Sequence, residues 1–349
     1  MSSDESKVTA EILSTETAAL FHAAVERASA LLRAGELVAL PTETVYGLAA
    51  NALDPQAVAR IFETKGRPTE NPIIVHVASV EMARRCVSAW PETAEKLAHA
   101  FWPGPLTLVL PRSAEIPDIV TAGGDTVGVR WPSHPFIQAV IRKCGFPLAA
   151  PSANPSNQVS PTNAEHVCKM LGGKIRLIVD GGQSQVGIES TVIDVSVAPP
   201  RMLRPGMIHA ESILAVTGSL HSGKSNEGDL LKSPGQLPKH YSPKARLVLW
   251  SWSNEKDLDR QLRAFRGTGF DGPVETSHCH IITHTQVPLI GTFGRVSVIP
   301  HDSEAFARAI YGELHRCDEE GARLIIVERL PETADWQAIS DRLNRAAAS

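Results

Sequence analysis

Apolar residues along this 349-residue chain recur either at helical spacing or in short unbroken runs, and the two patterns alternate. Such alternation predicts an α/β fold. Leu20, Ala24, Ala28, Leu31 and Leu32 fall on one side of a first helix, which Ser14 or Thr15 can cap and Gly35 ends. Residues 36–40 form an apolar strand, after which Asp54 and Pro55 open a second helix striped by Ala57, Val58, Ile61 and Phe62 and stopped by Gly66. Further strands are predicted at 73–77, 106–110, 125–130 and 176–179, and further helices at 90–102 and from Thr162 or Asn163 to Leu171. Over 207–243 a short helix at 210–216 is followed by a stretch rich in Gly, Ser and Lys, and the whole segment reads as a linker and lid. The rhythm resumes from 244 with strands at 246–250, near His280, near Val296 and at 324–327, and helices near 257–265, at 303–315 and at the end. Two α/β domains follow, 1–206 and a smaller one over 244–349.

Several polar groups interrupt the apolar pattern where chemistry could reside. The stretch 146–162 sets Ser152, Asn154, Ser160 and Thr162 among Pro151, Pro155 and Pro161 behind a short strand. A proline-stiffened loop of small hydroxyls and amides suits a phosphate or nucleotide, though the same composition makes ordinary surface loops. Thr42 and Thr44 follow the strand at 36–40, where open α/β sheets bind ligands. Lys65, Arg67 and Asn71 crowd a second stiffened turn, which could grip phosphates or simply solvate a helix end. Arg130 ends an apolar strand and needs an anion or carboxylate to be tolerated there, while His76 reads as a packed histidine.

Composition narrows the field. With 43% hydrophobic and 21% charged residues and a net charge of −4, the chain is an ordinary soluble globular protein without the basic footprint of a nucleic-acid coat. Five widely spaced cysteines without a CxxC pair suit reduced thiols. The N-terminus is polar and acidic and no apolar run is long enough to span a bilayer, so the expected location is cytoplasmic, without a membrane partner. Residues 218–225 match a P-loop pattern, but Gly228 and Pro234 leave little room for the helix that the motif requires. His278, Cys279, His280 and His284 have metal-like spacing with no acidic or second thiol ligand close in sequence, and no protein-bound metal is expected.

Taken together, PTETVYGL (41–48), KGRPTENPIIVH (65–76), FWPGPLTLVL (101–110), the strand ending in Arg130, APSAN (150–154), SPT (160–162), GIESTVID (187–194), LRPG (203–206) and SPG…HYSP (233–243) resemble the threonylcarbamoyl-AMP synthases in their two-domain form. The resemblance implies a YrdC-like twisted mixed sheet with helices, followed by a smaller Rossmann-like α/β domain. It implies an enzyme that makes threonylcarbamoyl-adenylate from L-threonine, bicarbonate and ATP with Mg²⁺, for modification of tRNA. Carried over by position, Lys65 and Arg67 are catalytic. ATP or the adenylate meets these two and Asn71, Thr126, Ser152, Asn154, Ser160, Arg204 and Tyr241. Threonine meets Thr42, Thr44, His76, Arg130, Ala150 and Ser190. The linker, with residues 233–235 and Tyr241, is the candidate lid. Candidate partners are tRNA and downstream threonylcarbamoyl-transfer enzymes. The rival reading is a non-catalytic RNA- or nucleotide-binding YrdC-like module, which the intact Lys65, Arg67, Ser152 and Asn154 set disfavours.

Overall fold

The computed structural model describes residues 9–221, 240–265, 275–288 and 293–348. It divides into two compact units, one of 1–156 with 160–237, the other of 157–159 with 238–349. The P-loop-like stretch from residue 222 onward and the proposed lid residues 233–235 lie outside the described residues.

Among the described residues the first unit carries ten strands: β1 (Glu11–Ser14), β2 (Val38–Leu40), β3 (Gly47–Asn51), β4 (Val75–His76), β5 (Leu106–Pro111), β6 (Thr126–Arg130), β7 (Leu148–Ala149), β8 (Leu177–Asp180), β9 (Thr191–Asp194) and β10 (Arg201–Arg204). They join in the order β1-β8-β2-β3-β7-β4-β6-β5-β9-β10. Pairing is mixed, with β2 parallel to β8 but antiparallel to β3, and β6 parallel to β4 but antiparallel to β5. Helices α1 (Ala18–Arg33), α2 (Pro55–Lys65), α3 (Val80–Arg85), α4 (Glu92–Phe101), α5 (Asp118–Thr121), α6 (Pro135–Cys144), α7 (Ala164–Leu171) and α8 (Ala210–Thr217) cover it. Alternation along the strands builds two cores. On β3, Leu48 and Ala50 join Ile61, Leu97 and Val129 in one cluster, whereas Ala49 joins Leu32, Phe136 and Leu148 in the other.

Several expectations about elements need correcting. Thr17 caps α1, accepting from Leu20 N–H at 3.3 Å, because Ser14 belongs to β1, a strand that pairs with β8. Leu20 stands half exposed, outside the buried stripe. The apolar run at 73–77 supplies just two strand residues, and at its start Ile73 N–H donates to Val120 O in α5, outside the sheet. Helix α8 belongs to the first unit, where Ile213 is fully buried in the core.

The second unit is a parallel sheet, β11 (Arg246–Trp250), β12 (Cys279–Thr283), β13 (Arg295–Val298) and β14 (Leu324–Glu328), in the order β11-β14-β12-β13. Its helices are α9 (Glu255–Ala264), α10 (Ser303–Glu319) and α11 (Gln337–Ala347). His278 is exposed beside the buried His280, so the two do not converge, and among the described residues no group of three or more His, Cys, Asp or Glu could hold a metal ion. No described helix is long and apolar enough to cross a membrane.

At the end of β14, the loop after β12 wraps the Glu328 carboxylate: Thr283 and Thr285 hydroxyls and the amides of His284, Thr285 and Gln286 all donate to it. Burial raises this carboxyl, but the hydrogen bonds win and hold it down at about 2. The group therefore stabilises the fold in full above about pH 4.5 and loses that contribution as pH falls toward 2. A Glu328→Gln change is expected to cost on the order of 3 kcal/mol at pH 7 and far less at pH 3. Urea unfolding of both proteins at the two pH values checks it, and a cost independent of pH would remove the carboxylate as the cause.

Candidate active site

Asp54 caps α2 through the amides of Gln56 and Ala57, and Gly66 stops it at φ 59°, a conformation glycine adopts without strain. Lys65 is thereby delivered from the last turn into the loop that follows β7. Its ammonium donates to the carbonyl oxygens of Ser152 (2.5 Å) and Asn154 and to Asn154 Oδ1 (3.4 Å). Ser156 N–H returns a bond to Lys65 O at 2.8 Å, so the helix end and the Ser-Ala-Asn loop are one interlocked structure. Lys65 is 3% exposed, and among the described residues no carboxylate pairs with it. Burial first, then the charge of Arg67, push its ammonium well below its usual range. An anion beside it would relieve both.

Arg67 staples its own turn, Nε donating to Asn71 O (3.0 Å) and Nη2 to Pro72 O (2.8 Å). The Asn71 side chain, 1% exposed, has neither amide atom hydrogen-bonded among the described residues. Buried amides of this kind ordinarily have partners.

Arg204, at the end of β10, donates from Nε to Ser190 O (3.0 Å) and from Nη2 to Ser190 Oγ (3.1 Å). The close approach depends on Gly206, where a Cβ would stand 2.3 Å from Thr191 N. Ser190 Oγ also lies 2.8 Å from Thr107 Oγ1, and Ser160 Oγ donates to Glu189 at 2.6 Å. Thr107 and Glu189 were missed from sequence. A lone hydroxyl inside the run at 106–110 was the available signal for the first, and an acid directly before Ser190 for the second.

A second cluster forms around Arg130. Its Nη1 donates to Thr44 Oγ1 (2.9 Å) and its Nε to Gly104 O (3.3 Å). Thr42 Oγ1 spends its proton on Val45 O at 2.6 Å, so at the 3.0 Å contact between the two threonines it accepts from Thr44. The anion that an arginine in this strand requires is within the chain: Glu43 Oε1 lies 2.7 Å from Arg130 Nη2, both side chains buried. Neither Nη2 nor either Glu43 oxygen is aligned for a hydrogen bond, so the contact is charge pairing alone. No local pattern singles out Glu43, which stands between Thr42 and Thr44 at the strand end. His76 is in register with Arg130 across β4 and β6, and Ala150 N–H bonds Ile74 O at 3.2 Å. Burial, then the Arg130 charge, hold the His76 imidazole down at about 3, so it is neutral at physiological pH.

Between pH 6.5 and 3 the unfolded chain takes up a proton that folded His76 refuses. Its contribution is intact above pH 6.5 and is lost as pH falls. Stability is expected to drop by about 2 kcal/mol from pH 7 to 5 on this account, and His76→Gln to flatten the drop. Denaturant midpoints across that range test it; an unchanged slope in the variant would count against it.

Of the remaining expected site residues, Thr126 opens β6, about 13 Å along the strand from Arg130. Tyr241 belongs to the second unit, 1% exposed, stacked on Tyr311 at 6.0 Å with Arg342 over its ring at 5.6 Å. The first unit thus holds a cationic group suited to phosphates, built on Lys65 and Arg67, and a cluster with buried charges of both signs, suited to an amino acid.

Residues 30–206 match the family described as "Telomere recombination", and residues 208–348 match "Threonylcarbamoyl-AMP synthase, C-terminal domain". A threonylcarbamoyl-AMP synthase of Pyrococcus abyssi is 40% identical over 330 residues, covering 92% of this chain and 93% of that protein. One of Bacillus subtilis is 41% identical over 326 residues, covering 93% and 92%. The crystal structure of P. abyssi Sua5 complexed with L-threonine superposes with a TM-score of 0.84 at 38% identity, covering 96% of each chain.

Proposed function

The chain belongs to the threonylcarbamoyl-AMP synthase family, and from that membership we infer that it joins L-threonine, bicarbonate and ATP into threonylcarbamoyl-AMP, releasing pyrophosphate. The threonine amine takes up bicarbonate-derived CO₂ as a carbamate, whose oxygen attacks the α-phosphorus in line with the departing pyrophosphate. Such a transfer asks for positioning and for positive charge around the phosphates. Lys65 and Arg67 supply that charge with Arg204, while Asn71, Ser152, Asn154, Ser160 and Thr126 hold the nucleotide. Arg130 takes the threonine carboxylate, with Thr42, Thr44, His76, Ala150 and Ser190 around the rest of the amino acid. Magnesium enters on the ATP phosphates, as part of the substrate. The product feeds tRNA modification, and five unpaired cysteines suit a reducing cytoplasm.

The observation that carries this reading is Lys65, a buried cation seated on uncharged oxygens of the Ser-Ala-Asn loop. Its test is incubation of the pure protein with ATP, Mg²⁺, L-threonine and labelled bicarbonate. Label in a nucleotide product is expected only when threonine is present, with equimolar pyrophosphate. Binding of ATP and threonine without transfer of label would leave a ligand-binding relative instead.

A further inference from the structure

Glu43 is the acid of the Arg130 cluster and has no role in the scheme above. It is 6% exposed, and its carboxylate faces Arg130 at 2.7 Å with both oxygens lacking a hydrogen bond among the described residues. Its backbone is fixed, the carbonyl accepting from Val186 N–H at 2.7 Å and the next residue, Thr44, taking the Arg130 Nη1 bond. The titratable groups around it are Arg130 and His134, with His76 beyond Arg130. A buried carboxylate ordinarily collects several donors. This one collects a charge and leaves its acceptor sites unused, and the Nη2 group opposite leaves its donors unused.

A carboxylate and a guanidinium so arranged are the complement of a zwitterion. Building on the synthase reading, we propose that Glu43 receives the α-ammonium of the amino-acid substrate while Arg130 holds its carboxylate, and that Glu43 then removes the proton that keeps the amine from reacting. The balance is complete. Bicarbonate divides into CO₂ and hydroxide; the ammonium nitrogen gives one proton to Glu43 and, on bonding CO₂, a second to the hydroxide, leaving carbamate and water. Glu43 later returns its proton to solvent. Glu43 is thus a substrate-contacting catalytic residue, and Thr42 and Thr44 position it through the loop they share.

The test is calorimetric binding of L-threonine and of 3-hydroxybutanoate, the same acid without the amine, to the whole chain. Wild type is expected to prefer threonine. Glu43→Gln is expected to weaken threonine roughly 10- to 100-fold while the amine-free acid stays within about twofold, and Glu43→Asp to restore part of the preference. Equal weakening of both ligands, or of neither, overturns the proposal. Should the glutamine variant not fold, wild type decides alone: equal affinity for the two acids overturns it as well. These affinities are measured without ATP or bicarbonate, so a wild-type chain that bound threonine this way but made no adenylate would sink the synthase reading and leave the Glu43 contact standing.

Discussion

Lys65→Met is expected to lower adenylate formation by about two to three orders of magnitude with the fold intact. The side chain has nearly the right length, so the packing of α2 against the loop survives while the cation is lost. Two effects oppose one another in stability. The carbonyls of Ser152 and Asn154 lose a shared donor, which costs about 1–3 kcal/mol. Against this, a buried ammonium whose protonated form is already disfavoured no longer has to be desolvated. The net change should be small beside the loss of rate. Lys65→Arg is expected to rescue poorly, because a planar fork cannot direct its donors at three oxygens seated around one point. Single-turnover rates with labelled bicarbonate, alongside denaturant melts, make the check. A methionine variant at full rate would take Lys65 out of the phosphate chemistry.

Arg130→Leu carries the largest expected effect on stability, about 3–5 kcal/mol, since it strands the Glu43 carboxylate in the interior. Adding Glu43→Gln removes the stranded charge, and the double variant should recover most of that loss. Recovery should not extend to threonine-dependent activity, to which the proposal assigns both charges. Urea unfolding of the two single variants and the double variant gives the coupling energy directly. A cost below about 1 kcal/mol for Arg130→Leu, or no recovery in the double variant, would mean that the pair is not what holds the cluster together.

The parts legible in the sequence share a physical reason. Asp54, Pro55 and Gly66 act within a few residues of themselves, so the bounds of α2 follow from local rules, and with them the position of Lys65. The need of Arg130 for an anion was equally legible, being a matter of charge in an apolar strand. Which anion serves was not, because Glu43 and Arg130 are brought together by a sheet whose order, β2-β3-β7-β4-β6, no short-range pattern encodes. The same applies to Thr107 beside Ser190, and to the 73–77 run, where a bond from Ile73 N–H to Val120 O in α5 replaces the start of a good strand pattern. Strand β1 was invisible for a different reason: its first two residues are exposed, the next two only partly buried, and they carry no alternation to read.

Asn157–Val159 counts with the second unit, though Asn154 just before it holds Lys65 and Ser160 just after it holds Glu189. Its companions are distant in sequence, the Ser242 amide donating to Asn157 O at 2.8 Å. For protein engineering this makes the boundary a splice problem and not a cut. A minimal version ended at residue 206 would keep three loop residues whose neighbours had been discarded, in the middle of the segment that holds the Lys65 ammonium. Removing the tail and shortening the turn between Pro155 and Ser160 would have to be done as one edit.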